Sequence, residues 1–238
     1  MTAYSERLDR ALALAAAVHE VQRRKGTAIP YIIHPYHVAL ILDRHGWPED
    51  VVVAGALHDV LEDARCEKPD FRERLRAVCP ALTGAPEDEK GFRRALGTHI
   101  GEAFGASVLE FVSNVTEDKK TAGGEARPWK TRKLEQLDVL GRAGREVAAL
   151  KAADVLHNAR SIARALRSDG ASAMDRFNAP PHEVLWQYRA ISALVDGKLG
   201  GDDPLARELD TVVRDFEEAL GRARADHIVG PPLGTAGD

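Results

Sequence analysis

Apolar residues recur at three- and four-residue intervals along most of the chain, the spacing that lines up one side of an α-helix. Residues 4–24 form the first such stretch, with Leu8, Ala11, Leu12, Ala15 and His19 on one face. Gly26 and Pro30 mark a turn, and His34-Pro35 opens a second helix that stops at Gly46. Residues 49–63 behave differently. Val51, Val52, Val53, Ala54, Ala56, Leu57, Val60 and Leu61 wrap every side, which predicts one continuous, buried central helix. Residues 64–99, rich in charge and containing Pro69, Pro80, Gly84, Pro86 and Gly97, read as an insertion with short helices near 71–77 and 88–96. Helical periodicity resumes over 100–114. A loop at 119–127 follows, then helices over 129–143, 146–167, 182–199 and 204–225. The pattern predicts an all-α bundle. Residues 1–199 form its main domain, 200–229 a C-terminal helix on the same domain, and 230–238 a frayed tail.

Composition narrows the class. With 44% hydrophobic and 29% charged residues, the 238-residue chain can bury a real core. A formal charge of -4 argues against a nucleic-acid partner held by bulk positive charge, so phosphate affinity must come from a local cluster. The apolar run 11–18 is too short to span a membrane and lacks a signal-peptide layout. Cys66 and Cys79 have no metal-ligand spacing, so a reduced, cytoplasmic protein is expected.

Against this background one segment stands out. His58, Asp59, Glu62 and Asp63 place four titratable groups in the most apolar helix of the chain. Buried charge needs a compensating partner, and a divalent cation provides one. Imidazole nitrogen with carboxylate oxygen suits Mn²⁺, Fe²⁺ or Zn²⁺ rather than calcium. At helical spacing His58 shares a face with Glu62, as Asp59 does with Glu62 and Asp63. His58 and Asp59 can therefore hold an ion while Glu62 or Asp63 acts on a water beside it. His34, at a proline-flanked helix start, and Asp154, on the apolar-faced 146–167 helix with Asn158 one turn on, complete a ligand set. Two imidazoles and two carboxylates leave positions for water and a phosphate oxygen, the layout of Lewis-acid hydrolysis. His19, His37, His45, His99, His157, His182 and His227 read as surface or packing residues.

Four separated segments, in order, resemble the HD-domain phosphohydrolase superfamily. They are Arg24-Lys25-Gly26 with Pro30-Tyr31-Ile32-Ile33-His34-Pro35, then His58-Asp59-Val60-Leu61-Glu62-Asp63, Val115-Thr116-Glu117-Asp118-Lys119, and Lys151-Ala152-Ala153-Asp154-Val155-Leu156-His157-Asn158. Within that superfamily they are most similar to the stand-alone small alarmone hydrolases and the hydrolase domain of RelA/SpoT-like proteins. The resemblance implies one Mn²⁺ per chain and removal of the 3′-pyrophosphate of ppGpp and pppGpp, giving GDP or GTP. It places His34, His58, Asp59 and Asp154 as metal ligands, and Glu62 and Asp63 as the acidic pair that orients and deprotonates water. Arg24, Lys25, Asn158, Ser161 and Tyr188 take substrate-contacting positions.

Ala64 and Ser161 stand where threonine is common in that family. The turn at 26–30 lacks an acidic residue often found there, and the 64–99 segment is longer than expected. These departures bear on nucleotide selectivity rather than on the metal set. A synthetase domain does not fit in the remaining length, so a stand-alone hydrolase is expected. Its oligomeric state is left open, a homo-oligomer included. Two competing functions keep parts of the picture: an HD-type enzyme acting on an adenosine alarmone or NADPH, and an antitoxin neutralising a small alarmone synthetase.

Overall fold

In a computed structural model that describes residues 5–64, 69–121 and 123–229, the chain is helical. Strand-like pairing among the described residues is confined to isolated bridges at Arg23–Pro30 and Lys120–Ala126. Cys66 and the 230–238 tail lie outside the described residues, as does the side chain of His227.

Helices α1 (Glu6–His19), α2 (Ile33–Arg44) and α3 (Glu49–Leu57) form one side of the bundle. Ser5 caps α1 by accepting a hydrogen bond from the Leu8 amide. Every residue of α3 from Val51 to Leu57 is buried, as its all-round apolar pattern requires. The continuous helix expected over 49–63 is instead broken at His58-Asp59, and a single turn, α4 (Val60–Asp63), follows. The break has a local cause. The His58 ring donates its Nδ1–H to the Gly55 carbonyl at 2.8 Å, the acceptor that a continuous helix offers to residue 59. Asp59 then sits at φ -96°, ψ -6°, outside regular helix geometry.

The segment read as an insertion is more ordered than its composition suggests. Helix α5 (Pro69–Val78) packs on α1, and Phe71 meets the Phe92 ring at 5.9 Å. Arg72 ties the intervening turn by donating to the carbonyls of Ala85 and Pro86. The helices expected at 88–96 and 100–114 are divided elsewhere. Helix α6 (Glu89–Phe104) runs through both, and α7 (Ala106–Val115) begins after Gly105. Gly105 has φ +102°, a conformation closed to other residues, and that conformation ends α6.

Helices α8 (Trp129–Arg142), α9 (Arg145–Asp169), α10 (Pro181–Leu199) and α11 (Pro204–Val229) complete the bundle. Helix α9 is the axis, touching α2, α3, α7, α10 and α11. Ala148, Ala149, Ala152, Ala153, Ala159 and Ala163 are all buried along it, and these small side chains let several helices approach one core helix closely. The C-terminal helix α11 lies against α9 and α10.

Helices α2 and α3 cross at Gly55. A Cβ there would sit 2.8 Å from Leu42 Cδ1 and 3.2 Å from the backbone of Ala39. Gly55→Ala is therefore expected to destabilise the fold by about 1–3 kcal/mol, the usual cost of forcing a methyl into a packed contact. Urea unfolding of the purified variant checks this. An unchanged midpoint would mean that the α2–α3 crossing has slack at this point.

Candidate metal centre

Three separate parts of the fold deliver the four groups singled out as metal ligands. His34 comes from the first turn of α2, His58 and Asp59 from the α3–α4 break, and Asp154 from the middle of α9. The two imidazoles are 1% and 3% exposed, so the polar atoms meet inside the protein. His34 Nε2 lies 3.2 Å from His58 Nε2, 3.2 Å from Asp154 Oδ1 and 3.6 Å from Asp59 Oδ2. His58 Nε2 lies 3.1 Å from Asp59 Oδ2 and 4.0 Å from Asp154 Oδ1. Donor atoms bound at about 2.1 Å to one ion are roughly 3.0–3.4 Å apart, so the set matches a shared ion. Within it, His34, His58 and Asp154 have donor atoms all within 4.8 Å of one another.

The hydrogen bonds behind these groups settle which atoms face inward. Because Gly55 O can only accept, His58 Nδ1 carries a proton, which leaves the Nε2 lone pair of the neutral ring for the cluster. Tyr31 donates its hydroxyl to Asp59 Oδ2 at 2.8 Å. Asp154 accepts from Lys151 Nζ at 2.8 Å and from Asn158 Nδ2 at 2.7 Å. The His58 lone pair and two carboxylates gathered around the His34 Nε2 repel one another unless positive charge lies between them. The chemistry of the donor set therefore fits a divalent ion such as Mn²⁺, Fe²⁺ or Zn²⁺.

Electrostatics points the same way. Burial opposes charge on Asp59, but His58 and His34 overcome it and hold the carboxyl well below the usual carboxylate range. Burial likewise opposes charge on Asp154, and Lys151 with both histidines again keeps it ionised. Burial lowers the His34 pKa, whereas in His58 the effect of burial is outweighed by Asp59, which pushes the ring up to about 9.

Glu62 and Asp63, on α4, are clasped together by Lys119, whose ammonium lies 2.8 Å from Glu62 Oε1 and 3.0 Å from Asp63 Oδ1. The second Glu62 oxygen accepts the Glu117 amide at 3.1 Å. Burial raises the Glu62 pKa, with Lys119 pulling against it, which leaves a carboxylate more basic than an exposed one. Glu117 is itself held by Lys133 and Arg132.

The remaining positions separate into two groups. Arg24 is half-buried and donates to Asn158 Oδ1 at 2.7 Å, so it joins the cluster through the chain Arg24–Asn158–Asp154. Its guanidinium also lies 5.6 Å from the centre of the Tyr31 ring. Lys25 is exposed on the same loop, and its carbonyl accepts from Arg176. Ser161 lies one turn beyond His157 and donates its hydroxyl to the His157 carbonyl within its own helix. Tyr188, 8% exposed, packs its ring 5.8 Å from that of Phe216 in the core between α10 and α11.

Several residues at the centre were not picked out by sequence reasoning. His157, read as a packing or surface histidine, has its Nδ1 2.8 Å from His34 Nδ1 and stacks on His37 at 4.9 Å with planes 17° apart. Burial, followed by the nearby His34, Arg24 and His37, lowers its pKa to about 3, so the ring is neutral. Lys151, 7% exposed, and His157 stand three residues before and after Asp154. That spacing puts both beside Asp154 on a helix and was the available signal. Tyr31, three residues before His34, was visible only as part of a motif.

An all-helical bundle with a buried cluster of two imidazoles and two carboxylates is a setting that can hold a divalent ion. Residues 11–176 match the HD domain family profile, and the chain belongs to that family. A guanosine-3′,5′-bis(diphosphate) 3′-pyrophosphohydrolase of Aquifex aeolicus is 41% identical over 72 residues, covering 30% of this chain and 10% of that protein. A GTP pyrophosphokinase of Streptomyces coelicolor is 29% identical over 161 residues, 68% of this chain and 15% of that one. The chain thus matches less than a fifth of the length of either relative. In fold it resembles the solved structure of a metazoan ortholog of SpoT, described as hydrolysing ppGpp. The TM-score is 0.61 and the identity 22%, with 92% of this chain and 99% of that chain covered.

Proposed function

We propose that this chain hydrolyses the 3′-pyrophosphate of ppGpp and pppGpp, giving GDP or GTP and pyrophosphate, with Mn²⁺ as the ion. The observation that carries the reading is the convergence of His34, His58, Asp59 and Asp154, with both inward nitrogens 3.2 Å apart. Alarmone enzymes among the matched relatives, and a ppGpp-hydrolysing protein of similar fold, support the choice of substrate.

On this reading the four residues hold the ion, which when bound supplies Lewis-acid activation of water and neutralises phosphoryl charge. Glu62 accepts the proton of the attacking water, its pKa raised by burial so that it is a stronger base. Asp63 shares Lys119 with Glu62 and helps fix the orientation of the pair. Water adds to the phosphorus nearest the ribose, the bond from that phosphorus to the 3′-oxygen breaks, and the ribose recovers a hydroxyl. Arg24, anchored by Asn158, offers a forked donor to the pyrophosphate, and Lys25 can add a point charge from the exposed loop. Asn158 and Ser161, on the α9 face beyond Asp154, are proposed to approach the nucleotide. Tyr188, by contrast, would act by packing behind α9.

A panel of ppGpp, pppGpp, an adenosine alarmone and NADPH, assayed with Mn²⁺ and with a chelator, tests this. Pyrophosphate release from the guanosine alarmones alone, stopped by the chelator and restored by Mn²⁺, is expected. Release only from another nucleotide, or turnover indifferent to chelation, would replace the reading.

A further inference from the structure

The shell behind the cluster contains one pairing that charge balance does not explain, the contact between His34 and His157. Both rings are largely enclosed, and their Nδ1 atoms are 2.8 Å apart, a distance that requires one to donate and the other to accept. Each neutral imidazole carries a single N–H. If His157 donated, His34 would carry its proton on Nε2 and point it into the cluster. If His34 donates, its Nε2 presents a lone pair there, matching His58, whose Nδ1 is committed to Gly55 O. The His157 ring is also clamped from its other side. It stacks on His37, and the His37 Nδ1 is anchored on the Ile33 carbonyl at 2.8 Å. The turn of α2 that carries His34 thus also supplies, through His37, the surface that holds the His157 ring.

We infer that His157 is a positioning residue. It accepts the Nδ1–H of His34 and so directs the His34 Nε2 lone pair at the ion. Asp59 and Asp154 need no such selection, because their oxygens accept in any case and are merely oriented by Tyr31, Lys151 and Asn158. His58 has its tautomer fixed by a carbonyl that can only accept. The partner behind His34 is an imidazole that could donate or accept, so the direction of that bond decides the character of the inward atom. The inference rests on the proposed metal site.

The test compares the full-length parent with His157→Phe and His157→Asn. Mn²⁺ affinity is read by calorimetry and the melting midpoint in metal-free buffer. His157→Phe keeps an aromatic ring against His37 but has no acceptor, and Mn²⁺ affinity is expected to fall roughly 10–100-fold with the metal-free midpoint unchanged. His157→Asn places an amide oxygen near the position of Nδ1 and is expected to recover most of that loss. A phenylalanine variant that binds Mn²⁺ like the parent overturns the role, as does an asparagine variant no better than phenylalanine. A second measurement needs no variant. In Zn²⁺-loaded protein, nitrogen NMR is expected to show coupling between the His34 and His157 Nδ1 atoms across the hydrogen bond, and its absence also overturns the role. A parent chain that binds no divalent ion would defeat the metal reading itself, whereas normal parent binding with an indifferent His157 defeats only this inference.

Discussion

The Asp59→Ala protein is expected to release no pyrophosphate from ppGpp above background while remaining a cooperatively folding helical protein. Asp59 supplies one of two negative charges facing the two inward imidazole nitrogens, and its Oδ2 lies 3.1 Å from His58 Nε2. Without it the donor set falls to three, and the Tyr31 hydroxyl loses its acceptor. Mn²⁺ affinity should drop by more than the roughly 10–100-fold that partners behind a ligand typically cost. The fold should survive, because the buried residues of α3 pack on α1, α2, α7 and α9 without help from the cluster. Calorimetry with Mn²⁺ and thermal melting separate the two outcomes. His58→Ala should behave alike, since it removes a nitrogen from the same set. An Asp59→Ala protein that keeps parental Mn²⁺ affinity would remove Asp59 from the ligands.

The Glu62→Gln protein should retain its ion yet lose about 10²–10⁴ of kcat, the usual contribution of a positioned general base. Glutamine keeps the length and shape of the side chain but cannot take up a proton at neutral pH. The sign of the pH effect follows from the environment. Burial raises the Glu62 pKa, and the base works only when deprotonated, so the parent should lose rate on acidification at a pH above the ordinary glutamate range. That acid limb should vanish in Glu62→Gln. Lys119 opposes the rise, so Lys119→Met should shift the limb to still higher pH. If Glu62→Gln turned over at the parental rate, the base would have to be sought elsewhere, with Asp63 first in line.

The two variants probe parts of the site that differed in how readily they could be read. His34, His58, Asp59 and Asp154 were legible because histidine and aspartate are out of place on such apolar helices, and burial without a partner is costly. Glu62 and Asp63 were singled out by helical spacing together with the family resemblance, although the helix that spacing assumed is broken at His58-Asp59. The break at His58-Asp59 was not legible. It arises from a competition between the His58 side chain and the backbone for the Gly55 carbonyl, and helix periodicity carries no trace of that competition. Nor did composition reveal that residues 69–104 build core, since proline and glycine there obscured Phe71, Leu75, Phe92 and Leu96. The end of α6 at Gly105 depended on a backbone conformation that only the folded chain displays.

By itself the sequence determined the helical class, the chemical identity of the cluster and the residues closest to it along each helix, because periodicity and the cost of burying charge act locally. Only the tertiary structure decided which atoms face one another. It set His34 against His157, aimed both Nε2 atoms inward, linked Arg24 to Asp154 through Asn158, and put Lys119 across Glu62 and Asp63. Those pairings join residues up to 134 positions apart, and hydrogen-bond direction between distant side chains is set by packing rather than by spacing along the chain.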